Sequence, residues 1–416
     1  MRILTLILSL VVVQNFAQPK STVDNIFDKN IKSVQFYVDN NSQNSEITYP
    51  ILPMYSDGKL MLEFDELGDA MSNFTATIHN CTWDWKISAV SDLDYLEEYN
   101  EFRISEMERS IATKINYTHY SFELPSILRS GNYIIILKND DFPEKRIMTK
   151  RFSIYQNGGV SVEKNSHSSF QNSKSDKQIV NFDIQLSDEI LSNTFNGLKV
   201  VIRQNGRWNK LLVASQPTFI DLSKGVYSYQ FINDEELFDA GNEFRVFDSR
   251  SASLGGIGIA HSNFTSDTNT MILITDEDRS YHTPYQKEDI NGQFIIASYE
   301  YDEGDIQGDY IQTTFTLKTY PREGDVYLNG AFCNWKPIYK LEYNYKTSTY
   351  TGTFLIKQGY YNYSYIIKNK GTIDEYQFEG SFTQTINNYD ILVYYKKPGQ
   401  FSEELTGYQL FELRKN

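Results

Sequence analysis

All-β, in tandem immunoglobulin-like or E-set β-sandwich domains behind a signal peptide, is the architecture implied by three features of the chain. Apolar and polar residues alternate in short runs along most of its length, as half-buried strands require. Tyr and Phe are abundant, 31 and 26 of 416 residues, beside many β-branched residues, a composition that suits pleated surfaces. Turn residues, chiefly Asn and Gly, separate the runs at short spacing. Only two cysteines are present, Cys81 and Cys333, far apart in sequence. No disulfide framework is expected, and stability must come from apolar burial.

The first element is MRILTLILSLVVVQNFAQ, with an early Arg2, an apolar run from Ile3 to Val13 and the small residue Ala17. It reads as a secretory signal peptide over residues 1–17, cut between Ala17 and Gln18, because the run is too short to cross about 30 Å of hydrocarbon. Gln18 rather than Cys follows the expected cut, so no lipid attachment is expected there, and no later run of 18 apolar residues offers a membrane span.

Residues 18–157 form an expected N-terminal β-sandwich. Val34, Phe36 and Val38, then Leu60, Leu62 and Phe64, then Phe74, Ala76 and Ile78 alternate with polar neighbours, and strand-like runs follow at 117–124, 132–138 and 146–155. About seven strands with frequent turns fit an immunoglobulin-like topology. Residues 93–110 break the pattern and suit either a short helix or an excursion over the sheet edge. Residues 158–178, in a stretch rich in Asn, Ser, Gly and Lys, read as a linker or long loop. A middle β domain is expected over 179–303, where Asn205-Gly206 is a two-residue hairpin signal. The polar segment Asp302 to Asp309 marks its end, and residues 304–416 form an expected C-terminal Ig-like/E-set β-sandwich.

The net charge is −15, a field that repels phosphate backbones and anionic head groups and argues against nucleic acid as a partner. There is no GxSxG, no HExxH and no glycine-rich loop ending in Lys-Ser or Lys-Thr, so no catalytic residue is assigned and the chain is read as non-enzymatic. His79 and Cys81 with His119 carry donor atoms that suit zinc, but their spacing is that of neither a finger nor a ribbon, and packed side chains at a strand end is the favoured reading. The acidic stretches 233–243, 276–279 and 302–309 lack the spacing of a calcium loop and suit solvated connections. LGGIGIA, residues 254–260, lacks the setting of a phosphate loop and reads as a flexible loop or glycine-bulged strand. No metal, cofactor or small-molecule ligand is assigned.

In IKQGYYNYSYII, residues 356–367, Tyr361, Tyr363, Tyr365 and Ile367 project to one side of an extended strand. An all-aromatic face is most simply a core face. The alternative is a row that grips sugar together with Trp335, which follows Asn329-Gly330 as in starch-binding sandwiches. That alternative makes the protein a periplasmic or surface carbohydrate-binding sandwich.

Several stretches in order, IKSVQFY, LMLEFDEL, IHNCTWDW, YLEEYNEFRI, YTHYSFELP and SGNYIIIL, then GDVYLNGAFCNW, LIKQGYYNYSY, FEGSFTQTINNYDILVYY and LTGY, span nearly the whole mature chain. As a set they resemble the plug family of the Bacteroidota type IX secretion system. The chain departs from that family's HCxxxW run, since Asn80 precedes Cys81 and Trp83 is additional. The resemblance implies a periplasmic all-β protein on the inner face of the outer membrane. There it would seal the periplasmic mouth of the very large translocon barrel while no substrate passes. It implies no catalytic role and assigns no partner-binding residue.

Overall fold

The computed structural model describes residues 22–156, 160–164, 176–187, 190, 197–214, 216–231, 236–251, 255–265, 268–282, 289–301 and 303–413. The expected signal peptide and its cut at Ala17 and Gln18 lie outside the described residues. Strand dominates and helix is confined to single turns, so the all-β class holds.

In the first block the alternating pattern folds as it reads. Leu60, Leu62 and Phe64 lie on one face of the strand Lys59–Leu67 and are buried against Phe74, Ala76 and Ile78 of Phe74–Cys81. One sheet runs Ile31–Asp39, Lys59–Leu67, Tyr117–Glu123, Glu106–Arg109; the other runs Asn25–Ile26, Phe142–Tyr155, Gly131–Asn139, Phe74–Cys81, Phe102–Arg103. Their inner faces interdigitate as in other two-layer sandwiches, with Phe74 of one sheet meeting Tyr120 of the other edge-on at 5.0 Å. Residues 93–110 take the excursion reading. A single 3-10 turn, Asp92–Asp94, leads to two short strands, each adding to an edge of a different sheet.

Beyond residue 156 the consecutive-domain reading needs correction. Within the expected linker, Val160–Lys164 pairs with Phe182–Leu186, and Lys177–Gln178 pairs with Phe238–Asp239. The expected boundary at 303/304 divides sheets on both sides. Leu198–Gln204 pairs with Asn387–Tyr395, which pairs with Glu404–Leu413, so the last strands complete the second sandwich and share its core with Phe182, Ile184, Val200 and Ile202. Conversely Arg245–Asp248 and Phe294–Ile296 both pair with Gly359–Asn369, and Asn269–Leu273 pairs with Tyr310–Lys318, which places them in the 11-stranded sheet of the third block. The third block is thus inserted within the second. Alternation reports which face a residue occupies and says nothing of which strand lies beside it, so the nesting has no local signature.

The Asn205-Gly206 signal does mark a hairpin, closed between Leu198–Gln204 and Leu211–Ala214. Both residues have positive φ, 52° and 66°, as a type I′ turn demands, and Arg207 N–H donates to Gln204 O at 3.1 Å. A second turn, Lys210 N–H to Arg207 O, makes the loop longer than two residues. A Cβ on Gly206 would lie 2.4 Å from the Tyr49 ring of the first block. Gly206→Ala is therefore expected to cost about 1–3 kcal/mol through combined strain and overlap, read as a lower urea midpoint in equilibrium unfolding.

The aromatic row of 356–367 is a core face. Tyr361, Tyr363 and Tyr365 are buried against Phe247, Phe294 and Phe315. The opposite face is covered too, with Asn362 and Ile366 buried.

Candidate functional site

The feature most unlike an ordinary string of sandwiches is the junction where the three blocks meet, where charged side chains are buried against each other. Asp65 lies on the outer face of Lys59–Leu67, opposite the core residues Leu62 and Phe64 by strand alternation. Lys357, at the end of Thr349–Lys357, reaches it from the third block: Lys357 Nζ is 2.6 Å from Asp65 Oδ2, and both side chains are 1% exposed. Tyr310 Oη–H donates to the same oxygen at 2.7 Å, and His119 Nδ1 is 2.8 Å from Asp65 Oδ1. Lys357 also donates to the Asp305 carbonyl at 2.6 Å and lies 4.2 Å over the Tyr117 ring. Burial pushes the Asp65 carboxyl up, but Lys357 and His119 outweigh it and hold it below the usual range. Burial likewise pushes the His119 imidazole down, and Asp65 more than offsets this, leaving it raised.

A second contact joins the first and second blocks. Val201, Leu392 and Tyr394 project from the face of their sheet opposite Val200, Ile391 and Val393, and pack against Ile51, Tyr49 and Trp83. Tyr394 Oη–H donates to Asn132 Oδ1 at 3.0 Å. On the same face Arg203 engages Asp390 with both guanidinium arms, Nε to Oδ1 at 3.0 Å, with side chains 3% and 0% exposed. Its guanidinium lies 4.1 Å over Trp208, which meets Trp85 of the first block edge-on at 4.6 Å. A third contact ties the hairpin of the second block to the third: Arg207 binds both Glu375 oxygens at 2.8 Å and covers the Trp335 ring at 4.0 Å.

Buried ion pairs of this kind contribute little net stability against apolar replacements, because desolvation offsets the attraction. Their attested value is geometric, since breaking one leaves an uncompensated charge. At this junction they hold three sandwiches in one relative arrangement.

The pH response follows from the same burial. Glu63, beside Asp65 on the outer face, is pushed up to about 7 by burial, then by Asp305. Glu243 and Asp289 share one buried region and both carboxyls are raised, first by burial and, for Glu243, by the facing Asp289. A carboxyl raised on folding favours the folded state while protonated, so this contribution is lost as pH rises through 4.5 to 7 for Glu63. His119, raised by Asp65, contributes below its unfolded value near 6.5 and loses this as pH rises. The depressed carboxyls Asp65 and Glu379, the latter held near 2 by Arg245 and Arg279 against burial, lose theirs only in strong acid. Thermal unfolding scans should therefore show higher stability at pH 5.5 than at pH 8, by on the order of 2 kcal/mol.

The residues singled out by sequence are placed as follows. His79 Nε2 lies 3.1 Å from Thr77 Oγ1, while His119 sits in the other sheet on Asp65. Cys81 and Cys333 are both buried and unpaired, and no group of three or more potential metal ligands occurs among the described residues. Asp276 receives Tyr363 and Tyr365 hydroxyls and Arg245, and Asp309 accepts from Lys114 N–H and Asn269. These acids are engaged within the fold. Of residues 233–243, those at 233–235 lie outside the described residues, as do Asp302 and Leu254. Gly256 and Gly258 take the loop reading: they lie in a turn that leads into the strand Ile259–Phe264, where a Cβ on Gly256 would lie 1.7 Å from Asp248 O. Trp335 has Arg207 over its ring and Phe244 edge-on 5.9 Å away, and the Tyr row proposed to act with it is buried in the core.

Sequence reasoning passed over Asp65, Lys357, Arg203 and Asp390. The signal available was a charge inside an otherwise apolar run, as in VVIRQ and YDILVYY, a pattern that buried pairing explains.

Comparison with known proteins adds two findings. Residues 31–156 match the family model of the Type 9 secretion system plug protein 1st domain. That match supports a plug-like, structural role in type IX secretion, with a secretion-system partner and a place in the cell envelope. No helix among the described residues is long and apolar enough to cross a membrane. The chain is also similar to the crystal structure of a hypothetical protein from Parabacteroides merdae ATCC 43184, 28% identical over 94% of this chain and 99% of that one, with a TM-score of 0.85. InvD of Yersinia pseudotuberculosis aligns at 10% identity over 92% of this chain and 97% of that one, but its TM-score of 0.18 carries no argument. No curated protein matches the chain.

Proposed function

We propose that a chain with a type IX plug first domain over residues 31–156 seals the periplasmic opening of the outer-membrane translocon while no cargo is in transit. The observation that carries this reading is the domain match itself. Physical reasoning supports it. A wide membrane barrel has an aqueous lumen that its own side chains do not fill. A stopper must keep its shape under the forces at such an opening, and the nested third block with its buried charge contacts supplies a body of preset shape, which limits the ordering cost of docking. Large aromatic side chains are available for contact at the surface: Tyr55, Tyr99, Tyr281, Tyr320 and Tyr345 are each at least 79% exposed. Such residues anchor protein interfaces well. The protein acts by occupancy and needs no reactive group, in the periplasm against the inner face of the outer membrane. Affinity purification from native membranes in mild detergent is expected to recover the translocon barrel with it in fixed ratio. Repeated recovery of the protein without any outer-membrane barrel would overturn the reading.

A further inference from the structure

A cleft runs between the first block and the NGAFCNW segment of the third, and it is lined by Lys150, which has no ion-pair partner among the described residues. Its inner lobe, about 120 Å³, is bordered by Lys150, Arg151, Arg207, Trp208 and Trp335. Its outer lobe, about 310 Å³, is walled by Ile26, Phe27, Ile31, Phe332, Ile338 and Tyr339. Both far exceed the roughly 15 Å³ that one water needs. The lobes share Val34, Lys150, Ala331 and Asn334 in their linings, which makes the Lys150–Asn334 pair the neck between them.

The polar groups at this neck are under-satisfied. Lys150 Nζ has one hydrogen bond, to Asn334 Oδ1 at 3.1 Å, and no carboxylate in ion-pair range among the described residues. Asn334 Nδ2 is buried with no acceptor, a condition that normally costs stability and points to a missing partner. Arg151 is held by the Thr22 carbonyl and the Trp85 ring instead of an acid, and Lys32 of the outer lobe lies 6.0 Å from the Tyr339 ring. Among the nearby acids Asp24, which accepts from Arg151 N–H, offsets part of the Lys150 and Arg151 charge from a distance, while Asp28 is paired with Lys145 and burial raises the Glu46 carboxyl. Asn334 and Trp335 are consecutive residues with φ of 54° and 55°. For a bulky Trp this is an uncommon conformation, and it places the Asn334 amide at the neck.

From this arrangement we infer that the cleft binds an organic carboxylate, its oxygens between Lys150 Nζ and Asn334 Nδ2 and its apolar or aromatic body in the outer lobe. The two donors are a charged and a neutral N–H group, a pair that suits a carboxylate oxygen. The apolar walls then add burial of the attached body. Two sources offer this chemistry, the C-terminal carboxylate of a peptide ending in an apolar residue and a free aromatic acid. The inference does not depend on the stopper reading.

Titration calorimetry with the full chain tests it, using benzoate and one short peptide ending in Phe, prepared with a free C-terminal carboxylate and as the amide. Saturable binding of a carboxylate below about 10 mM is expected, weakened roughly tenfold or more by Lys150→Met and by Asn334→Asp. The second variant keeps a residue that tolerates positive φ while placing a like charge at the neck. Thermal scans of both variants establish that they are folded. Tighter binding of the free-acid peptide than of benzoate identifies a chain terminus as the source, and the reverse identifies a small acid. Absence of saturable heat with every carboxylate, equal binding of acid and amide peptides, or unchanged binding in folded Lys150→Met would each overturn the inference.

Discussion

Asp65→Ala should lower the unfolding free energy by about 3–5 kcal/mol, because it strands the Lys357 ammonium in a site where both partners are 1% exposed. The loss extends beyond one pair. Tyr310 and His119 also donate to Asp65, so the Tyr310 hydroxyl keeps only its Ser33 partner and a largely buried imidazole loses its acceptor. Urea unfolding followed by Trp fluorescence measures the effect. The combined replacement Asp65→Leu with Lys357→Met is expected to recover most of it, since the desolvation cost of both charges disappears together. A double variant no more stable than Asp65→Ala would show that the pair itself is worth more than its geometry.

Asp390→Ala should have an effect of similar size, again about 3–5 kcal/mol, but with a different structural consequence. Arg203 then sits unpaired on the face that joins the first and second blocks, beside Trp208, Leu392 and Tyr394. The first block should detach before either sandwich melts, and limited proteolysis should release a fragment of its mass at a urea concentration that leaves the unaltered protein whole. Asp65→Ala instead loosens the first block from the third. Parallel behaviour in both variants is expected if the junction is a shared lock. Release of the fragment from neither would mean that apolar contacts alone hold the blocks.

Much of the fold could be read locally and little of the junction could. Leu60, Leu62 and Phe64 announced their strand and their buried face, and Tyr361, Tyr363 and Tyr365 announced theirs, because alternation is a property of one strand. Asn205-Gly206 announced a turn with two positive φ values, yet the Tyr49 ring that makes Gly206 necessary comes from a block more than a hundred residues earlier. The return of Asn387–Tyr395 to pair with Leu198–Gln204 is a tertiary choice with no local mark, which is why the boundary at 303/304 looked natural. Asp302 to Asp309 looked like a solvated divider, but it includes a helical turn, Gly304–Gln307, whose Asp305 carbonyl receives Lys357. Buried charges have the same character: a lone Asp in YDILVYY signals that a partner exists and leaves its identity open.

The account rests on the chain closing an opening by its shape. Permeability of the outer membrane to a small solute, compared between cells with and without this protein while the secretion pore is present and idle, measures that directly. Entry should rise when the protein is absent and fall again when it is resupplied; equal entry in both states would contradict the account.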